Sequence, residues 1–148
     1  MVKIQDMPES DMKALLLKQD FGHLGVARDN RPYVVPMLYA YDHESLFFFT
    51  TLGTKTEYLD QNHEVCLQVE AIEDKENWQS VMVTGTAEHL TDEADIAIAM
   101  ELITKRNPHL TPALNLTQVD AWGRASVVAV YRIRPRLIDG RRTVEGEK

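Results

Sequence analysis

The sequence is poor in the residue patterns that usually announce a chemistry. Its 148 residues contain one cysteine, Cys66. A single cysteine excludes an internal disulfide and any zinc site built on clustered thiolates. Cys66 sits in the alternating run EVCLQVE, where a packed strand residue is the plain reading. No apolar run approaches the ~20 residues needed to cross a bilayer. The opening MVKIQDMPESD lacks the apolar core of a signal peptide, so a cytoplasmic location is expected. The histidines, at 23, 43, 63, 89 and 109, never fall at a metal-ligand spacing such as HxxxH, and no metal is expected. There is no GxSxG elbow and no acid pair or triad, so hydrolytic machinery is not in view. Positive charge is also scarce. Sixteen Lys and Arg stand against 23 Asp and Glu, for a net charge of -7. That balance argues against a nucleic-acid or anionic-membrane partner, but allows a local basic pocket for one phosphate.

What is present fits one domain over 1–148, with a polar tail from about 140. The apolar share is 44%, ordinary for a globular chain. Pro8 to Gln19 reads as a first helix, with proline in its first turn and Met12, Leu15, Leu16 and Leu17 on its apolar face. Phe21 to Ala27 and Pro32 to Tyr41 read as strands around the polar turn Arg28-Asp29-Asn30-Arg31. Leu46 to Thr51 follows after Asp42-His43-Glu44-Ser45. It is so apolar that both faces should be covered. These three strands are expected to form a meander.

Thr54 to Gln61 reads as a short helix. Glu64 to Ile72 alternates, with Val65, Leu67 and Val69 on one face. A charged loop, Glu73 to Asn77, leads into a long strand, Trp78 to Leu90, with Gly85 as its bulge or bend. Asp92 can cap a helix whose stripe is Ile96, Ala99, Met100 and Ile103, and Asn107-Pro108 stops it. Residues 109–123 give no clear pattern. Ala125 to Arg134 is the last strand. Six antiparallel strands with two or three helices fit a small closed or partly closed barrel.

Three groups of residues have chemical potential. Thr50, Thr51, Gly53, Thr54 and Lys55 lie between a strand and a helix. Hydroxyls, free first-turn N–H groups and a lysine charge can together hold a phosphate. The GxxxxGK[ST] spacing is absent, so this is no Walker motif. An ordinary turn with a solvated lysine also fits. Pro36 cannot donate to a ladder, which puts its strand at an edge or a break. Backbone groups left free there can meet the polar rim of a heterocycle. Trp78, Gln79 and Ser80 open the long strand and offer a ring cover and a donor. Trp122-Gly123-Arg124 is a second aromatic-basic group.

The order of these pieces resembles the FMN-binding split-barrel family, the pyridoxamine 5'-phosphate oxidase-like proteins, from about Met12 to about Asp139. GHLGVARDNRPYVVPMLYAYD, LFFFTTLGTKTEYLDQNHEVCLQVE, WQSVMVTGTAEHLTD and VVAVYRIRPRLIDG carry the likeness. It implies a mainly β, six-stranded antiparallel split barrel with peripheral helices. It implies FMN, with Val35, Pro36, Met37 and Leu38 along the flavin ring and Thr50, Thr51, Gly53, Thr54 and Lys55 on ribityl and phosphate. Lys55 matches the family's phosphate lysine, four residues before Leu59, while Thr54 stands where the oxidases carry arginine. Trp78 and Ser80 match a W-x-S-V pattern of the branch nearest the nitroimidazole-resistance reductases, and are implied flavin neighbours. That branch carries a histidine where this chain reads Phe48-Phe49-Thr50, which argues against nitro-reduction. The C-terminal tryptophan and arginine pattern of the true oxidases has no match, which argues against pyridoxal phosphate synthesis.

The expectation is a homodimeric, FMN-dependent oxidoreductase acting on a small-molecule substrate or electron acceptor. A flavin would do the redox chemistry while the protein binds and orients it. No side chain stands out as a catalytic acid or base. The alternatives on the same fold are a non-catalytic flavin- or haem-binding module and an F420-dependent reductase.

Overall fold

A computed structural model describes residues 1–106 and 128–146. Among these residues, eight antiparallel strands and three helices run in the order β1 (Val2–Asp6), α1 (Glu9–Lys18), β2 (Phe21–Arg28), β3 (Arg31–Leu38), β4 (Ala40–Tyr41), β5 (Leu46–Thr51), α2 (Thr54–Gln61), β6 (Glu64–Asp74), β7 (Asn77–His89), α3 (Glu93–Arg106) and β8 (Val128–Glu145). The sheet order is β3-β2-β6-β7-β8-β5-β4, with β1 added along β8. The expected architecture holds, with two more strands than the six expected. Among the described residues no helix is long and apolar enough to cross a membrane.

Each strand alternates because each has one face in the barrel. Leu24 and Val26 of β2, Val65, Leu67 and Val69 of β6, and Val81, Val83 and Ala87 of β7 form the interior with Leu46, Phe48, Tyr131 and Ile133. The β5 strand is covered on both sides as expected. Its Leu46 and Phe48 join this core, while Phe47 packs with Ala99 and Ile103 of α3 in a second cluster. Asp92 caps α3, accepting the Asp95 N–H at 3.2 Å. The β2–β3 hairpin turns through Asp29 and Asn30, both at positive φ (50° and 63°), a conformation these side chains tolerate.

The predicted meander of the first three strands forms only in part, because the expected strand from Pro32 to Tyr41 breaks at Tyr39 and only its last two residues, Ala40–Tyr41, pair with the third. β2 and β3 pair as a hairpin, but β5 pairs with β4 and β8 instead. The chain leaves the hairpin at Tyr39, where the backbone N–H goes to the Asp20 carbonyl at 3.0 Å and the phenol to the Leu16 carbonyl at 2.8 Å. Those two bonds turn Ala40–Tyr41 away from β2, and β5 follows. Among the described residues β3 therefore has one ladder partner, which puts Pro36 on the sheet edge expected for it.

The polar tail is also corrected. Residues 140–145 continue β8, paired with β7 on one side and β1 on the other. Charged alternation concealed this strand. Arg141 reaches Asp6 at 3.3 Å and Arg142 reaches Asp11 of α1 at 2.8 Å, so both cations are held by neighbours. β1 was not foreseen, because none of its five residues is buried and only backbone pairing makes it a strand. The expected start of the last strand at Ala125, the stop at Asn107-Pro108 and the Trp122-Gly123-Arg124 group lie outside the described residues.

Two buried tyrosines differ in their partners. Burial raises both phenols, Tyr131 up to about 12. Tyr39 donates to a carbonyl in the last turn of α1, whereas the Tyr131 hydroxyl has no hydrogen-bond partner among the described residues. Tyr39→Phe should cost about 1–2 kcal/mol, and Tyr131→Phe should be neutral or stabilise by up to about 1 kcal/mol. Chemical denaturation of the two variants checks the contrast.

On the outside, Arg132 and Arg134 clamp Glu88 at 3.0 and 3.1 Å. The hydrogen bond from Arg132 holds the Glu88 carboxyl below its ordinary value. A depressed carboxyl stabilises the fold above the unfolded-state pKa, and that contribution is lost as pH falls through the folded value. Glu88→Gln should therefore cost about 1 kcal/mol or less at neutral pH. The gap to wild type in thermal melts should close below pH ~4.

Candidate functional site

The turn from β5 into α2 is built by one side chain. The Thr56 hydroxyl accepts the Gly53 N–H at 2.9 Å and donates to the Gly53 carbonyl at 2.8 Å. Thr56 is buried, so this bond pair is shielded and fixes the entry angle of the helix. Thr54, Lys55 and Thr56 follow with N–H groups that have no carbonyl one turn back to meet. The positive end of the helix dipole lies there as well. Lys55 makes no ion pair among the described residues.

Gly53 keeps the approach clear. Its φ of 167° is extended backbone, so conformation alone does not demand glycine. A β-carbon there would meet nothing within 4 Å, so the space in front of the turn is open. Thr51 and Thr54 are exposed beside it. Thr50 differs: it is buried, and its hydroxyl donates to the Thr51 carbonyl at 3.2 Å.

β3 lies close to α2 through a small aromatic cluster. The Tyr33 and Tyr58 rings are 5.5 Å apart, and the Arg28 guanidinium sits 4.7 Å over Tyr58. Tyr58 is about one helical turn from Thr54 and Lys55, so it ties the start of β3 to the start of α2. The free edge of β3 then runs on from Tyr33 toward Leu38. Alternation divides the four ring candidates. Val35 and Met37 face the barrel, and Met37 is only 7% exposed. Pro36 and Leu38 face outward with Val34. A planar ligand along this strand would meet the backbone edge and the outward side chains, with Met37 acting from behind as packing. Arg28, Tyr33 and Tyr58 were missed from the sequence, where they read as turn, strand and helix residues. Their signal was two arginines flanking a two-residue turn.

Trp78 and Ser80 are not brought to this place within one chain. Thr50 is the β8 partner of Ala129, whereas Ser80 is the partner of Arg141. Those two β8 residues are twelve positions apart, on the order of 40 Å of strand contour. Ser80 instead belongs to the outer face of the sheet. Its hydroxyl accepts from Gln68 Nε2 at 2.9 Å, Gln68 Oε1 faces His23 Nδ1 at 3.3 Å, and His23 pairs with Pro36. A polar row thus crosses four strands from Ser80 to the outward side of β3. Trp78 lies beyond it, its N–H on Thr143 Oγ1 at 3.0 Å, in an open cleft with Lys18, Gln79 and Arg142. Among the described residues no group of three or more His, Cys, Asp or Glu could hold a metal ion.

With this geometry in hand, comparison with known proteins is decisive on one point. The family model for pyridoxamine 5'-phosphate oxidase matches residues 8–142. The chain belongs to that family. Its fold is the split barrel of these proteins. A FAD-binding protein of Mesorhizobium loti superposes with a TM-score of 0.77 at 26% identity, covering 98% of this chain and 100% of that one. A candidate 5-nitroimidazole antibiotic resistance protein of Bacteroides thetaiotaomicron gives 0.72 at 21% identity, covering 98% and 93%. A FAD-binding protein of Mycobacterium smegmatis gives 0.70 at 24% identity, covering 96% and 100%. An uncharacterised protein of Rhizobium meliloti is 30% identical over 87 residues, which span 59% of this chain and 58% of that relative's length.

The Thr56 bond pair generates a test of the turn. Thr56→Val should lose about 1 kcal/mol of stability through the lost cap, because the buried methyl groups replace the volume but not the bonds. Hydrogen exchange should be faster at Gly53 and Glu57, whose N–H groups are bonded in this turn, while the barrel strands stay protected.

Proposed function

We propose that this chain binds a flavin phosphate and serves as a flavin-dependent oxidoreductase of a small molecule. The observation that carries the reading is the α2 entrance. It offers free helix N–H groups, a Lys55 with no ion pair among the described residues and a space that a β-carbon at Gly53 would enter, with α2 joined to β3 through the Tyr33–Tyr58 contact. Those donors fit a dianionic phosphate, and the edge fits the polar rim of a flat ring. FMN has the smallest set of groups that uses both. When bound, a flavin would supply the hydride and electron chemistry. The chain's own part is binding and orientation. Thr54 and Lys55 would hold the phosphate, Thr51 the ribityl hydroxyls, and Val35 to Leu38 the ring, through backbone and the outward Pro36 and Leu38.

The same reading includes a homodimer. The register stacks Val34, Gly25, Cys66, Thr84 and Leu137 in one outward row, with Pro36, His23, Gln68, Met82 and Asp139 in the next. Val34 is 63% exposed and Leu137 59%. Apolar side chains gathered on one sheet face favour a protein partner. A second copy placed there would bring its own Trp78 and Ser80 toward the β3 edge, which one chain alone does not do.

Purified protein should be yellow, or should turn yellow on adding FMN, with the absorbance of oxidised flavin. Its mass in solution should be twice 16.9 kDa. Lys55→Ala should weaken flavin binding by about 1.5–3 kcal/mol, the value of a charge-assisted contact. Failure to take up any flavin sinks the reading. Uptake of haem or F420 in place of FMN moves the chain to one of the other readings, and flavin binding with no turnover of NADH or NADPH leaves a binding module.

A further inference from the structure

Away from the α2 entrance, two adjoining cavities open where α1 meets the ends of β6, β7 and β8. They hold about 340 and 260 Å³, and both are lined by Lys18, Ala71, Gln79 and Arg142. The register explains the grouping. Ala71 pairs with Gln79 and Gln79 with Arg142, so the three stand in one row across the strands. Ala71, the smallest of them, leaves room in that row. Trp78 lines the second cavity, with its backbone N–H on Thr143 Oγ1 at 3.0 Å.

Donors collect in this groove without partners. The Arg142 guanidinium gives Nη1 to Asp11 at 2.8 Å. Its Nε is shut from solvent with no hydrogen-bond partner, a state that folded proteins generally avoid. Nη2 has no partner among the described residues either, and it shares one edge of the guanidinium with Nε. An acceptor lying along that edge would face both. Lys18 is exposed and makes no ion pair among the described residues.

Two features oppose an anion here, and both are weakened. The carbonyl end of α1 is near, but Gln19, Tyr39 and Arg106 already donate to the carbonyls of Leu15, Leu16 and Leu17. Glu73 lines only the second cavity and is exposed, so water and salt screen it. Trp78 is half-buried and keeps part of its ring open for stacking.

We propose that this groove binds a small planar carboxylate, its carboxylate group between Lys18 and the free edge of Arg142 and its ring against Trp78. The site needs no flavin. It stands at the opposite end of β8 from the strand that leads to α2.

The test is titration of the purified full chain with benzoate, with its uncharged counterpart benzamide and with the cation benzylamine, followed by tryptophan fluorescence and calorimetry. Benzoate should quench emission saturably, and Trp78→Phe should remove that quenching. Benzamide should bind about tenfold or more weakly, having no charge to offer the two cations. Lys18→Gln should weaken benzoate about fivefold or more. Arg142→Lys should weaken it about tenfold, because lysine keeps the charge but not the fork. Arg142 also holds Asp11, so if Arg142→Lys does not fold, the exposed Lys18→Gln decides. Benzamide equal to benzoate, a preference for benzylamine, or benzoate affinity indifferent to Lys18→Gln overturns the site. So does the absence of any saturable response. None of these results touches the flavin reading.

Discussion

A β-carbon on residue 85 would lie 2.1 Å from the Arg134 carbonyl oxygen, so the β7–β8 ladder can close at that point only with glycine. The register shifts there between Thr84 and Gly85, and Pro135, which has no N–H to give, occupies the partner position. The rest of the barrel follows from this contact. β8 is long enough to serve three neighbours, with its first half beside β5 and its last residues beside β1, while β7 accompanies both. A straight ladder of that length would make a flat sheet. One extra residue on β8, Arg136 opposite the Thr84–Gly85 step, bends it, and β5 pairs with the part of β8 before the bend.

The seam left unclosed at β3 gives the site its character. An edge strand is usually a liability, because its backbone groups invite another chain. Here the edge is β3, interrupted by Pro36, with α2 entering nearby. The helix brings donors for an anion and the strand brings a row of backbone groups. Neither is consumed by the fold. Along β8, the Trp78 corner pairs with its last residues and the strand leading to the α2 entrance with its first, so the two stand at opposite ends of that strand.

Local elements were legible in the sequence where burial repeats with the period of the strand or helix. β5 and α2 were read at their observed limits, because Leu46 to Thr51 is apolar throughout and Gly53 breaks the chain before the helix. β6 was legible from Val65, Leu67 and Val69, and the bend at Gly85 from a glycine within a long alternating run. What could not be read depends on partners distant in sequence. The pairing of β5 with β8 turns on Tyr39, whose two hydrogen bonds reach Asp20 and Leu16. The end of β8 looked like a tail because Arg141 and Arg142 are polar, and the Asp6 and Asp11 that hold them stand more than a hundred residues away. β1 has no buried residue, so no hydrophobic pattern could mark it. For the site, the phosphate end was legible as a local motif. The arginine–tyrosine cluster was not, since Arg28, Tyr33 and Tyr58 come from three elements.

The two halves of the α2 region differ in how they are held, and that difference has a physical consequence. At the entrance, the buried Thr56 hydroxyl fixes Gly53 and leaves the following N–H groups pointing into open space. Their orientation costs nothing further when an anion arrives, because folding has already set it. At Arg28 and Arg31 the opposite holds. Arg28 and Arg31 are backbone partners across the hairpin end, the Arg28 guanidinium lies over Tyr58, and its ion-pair partner Glu57 stands 4.0 Å away and largely exposed. The entrance is thus set by folding itself, whereas the hairpin end is held by ring contact and one exposed ion pair.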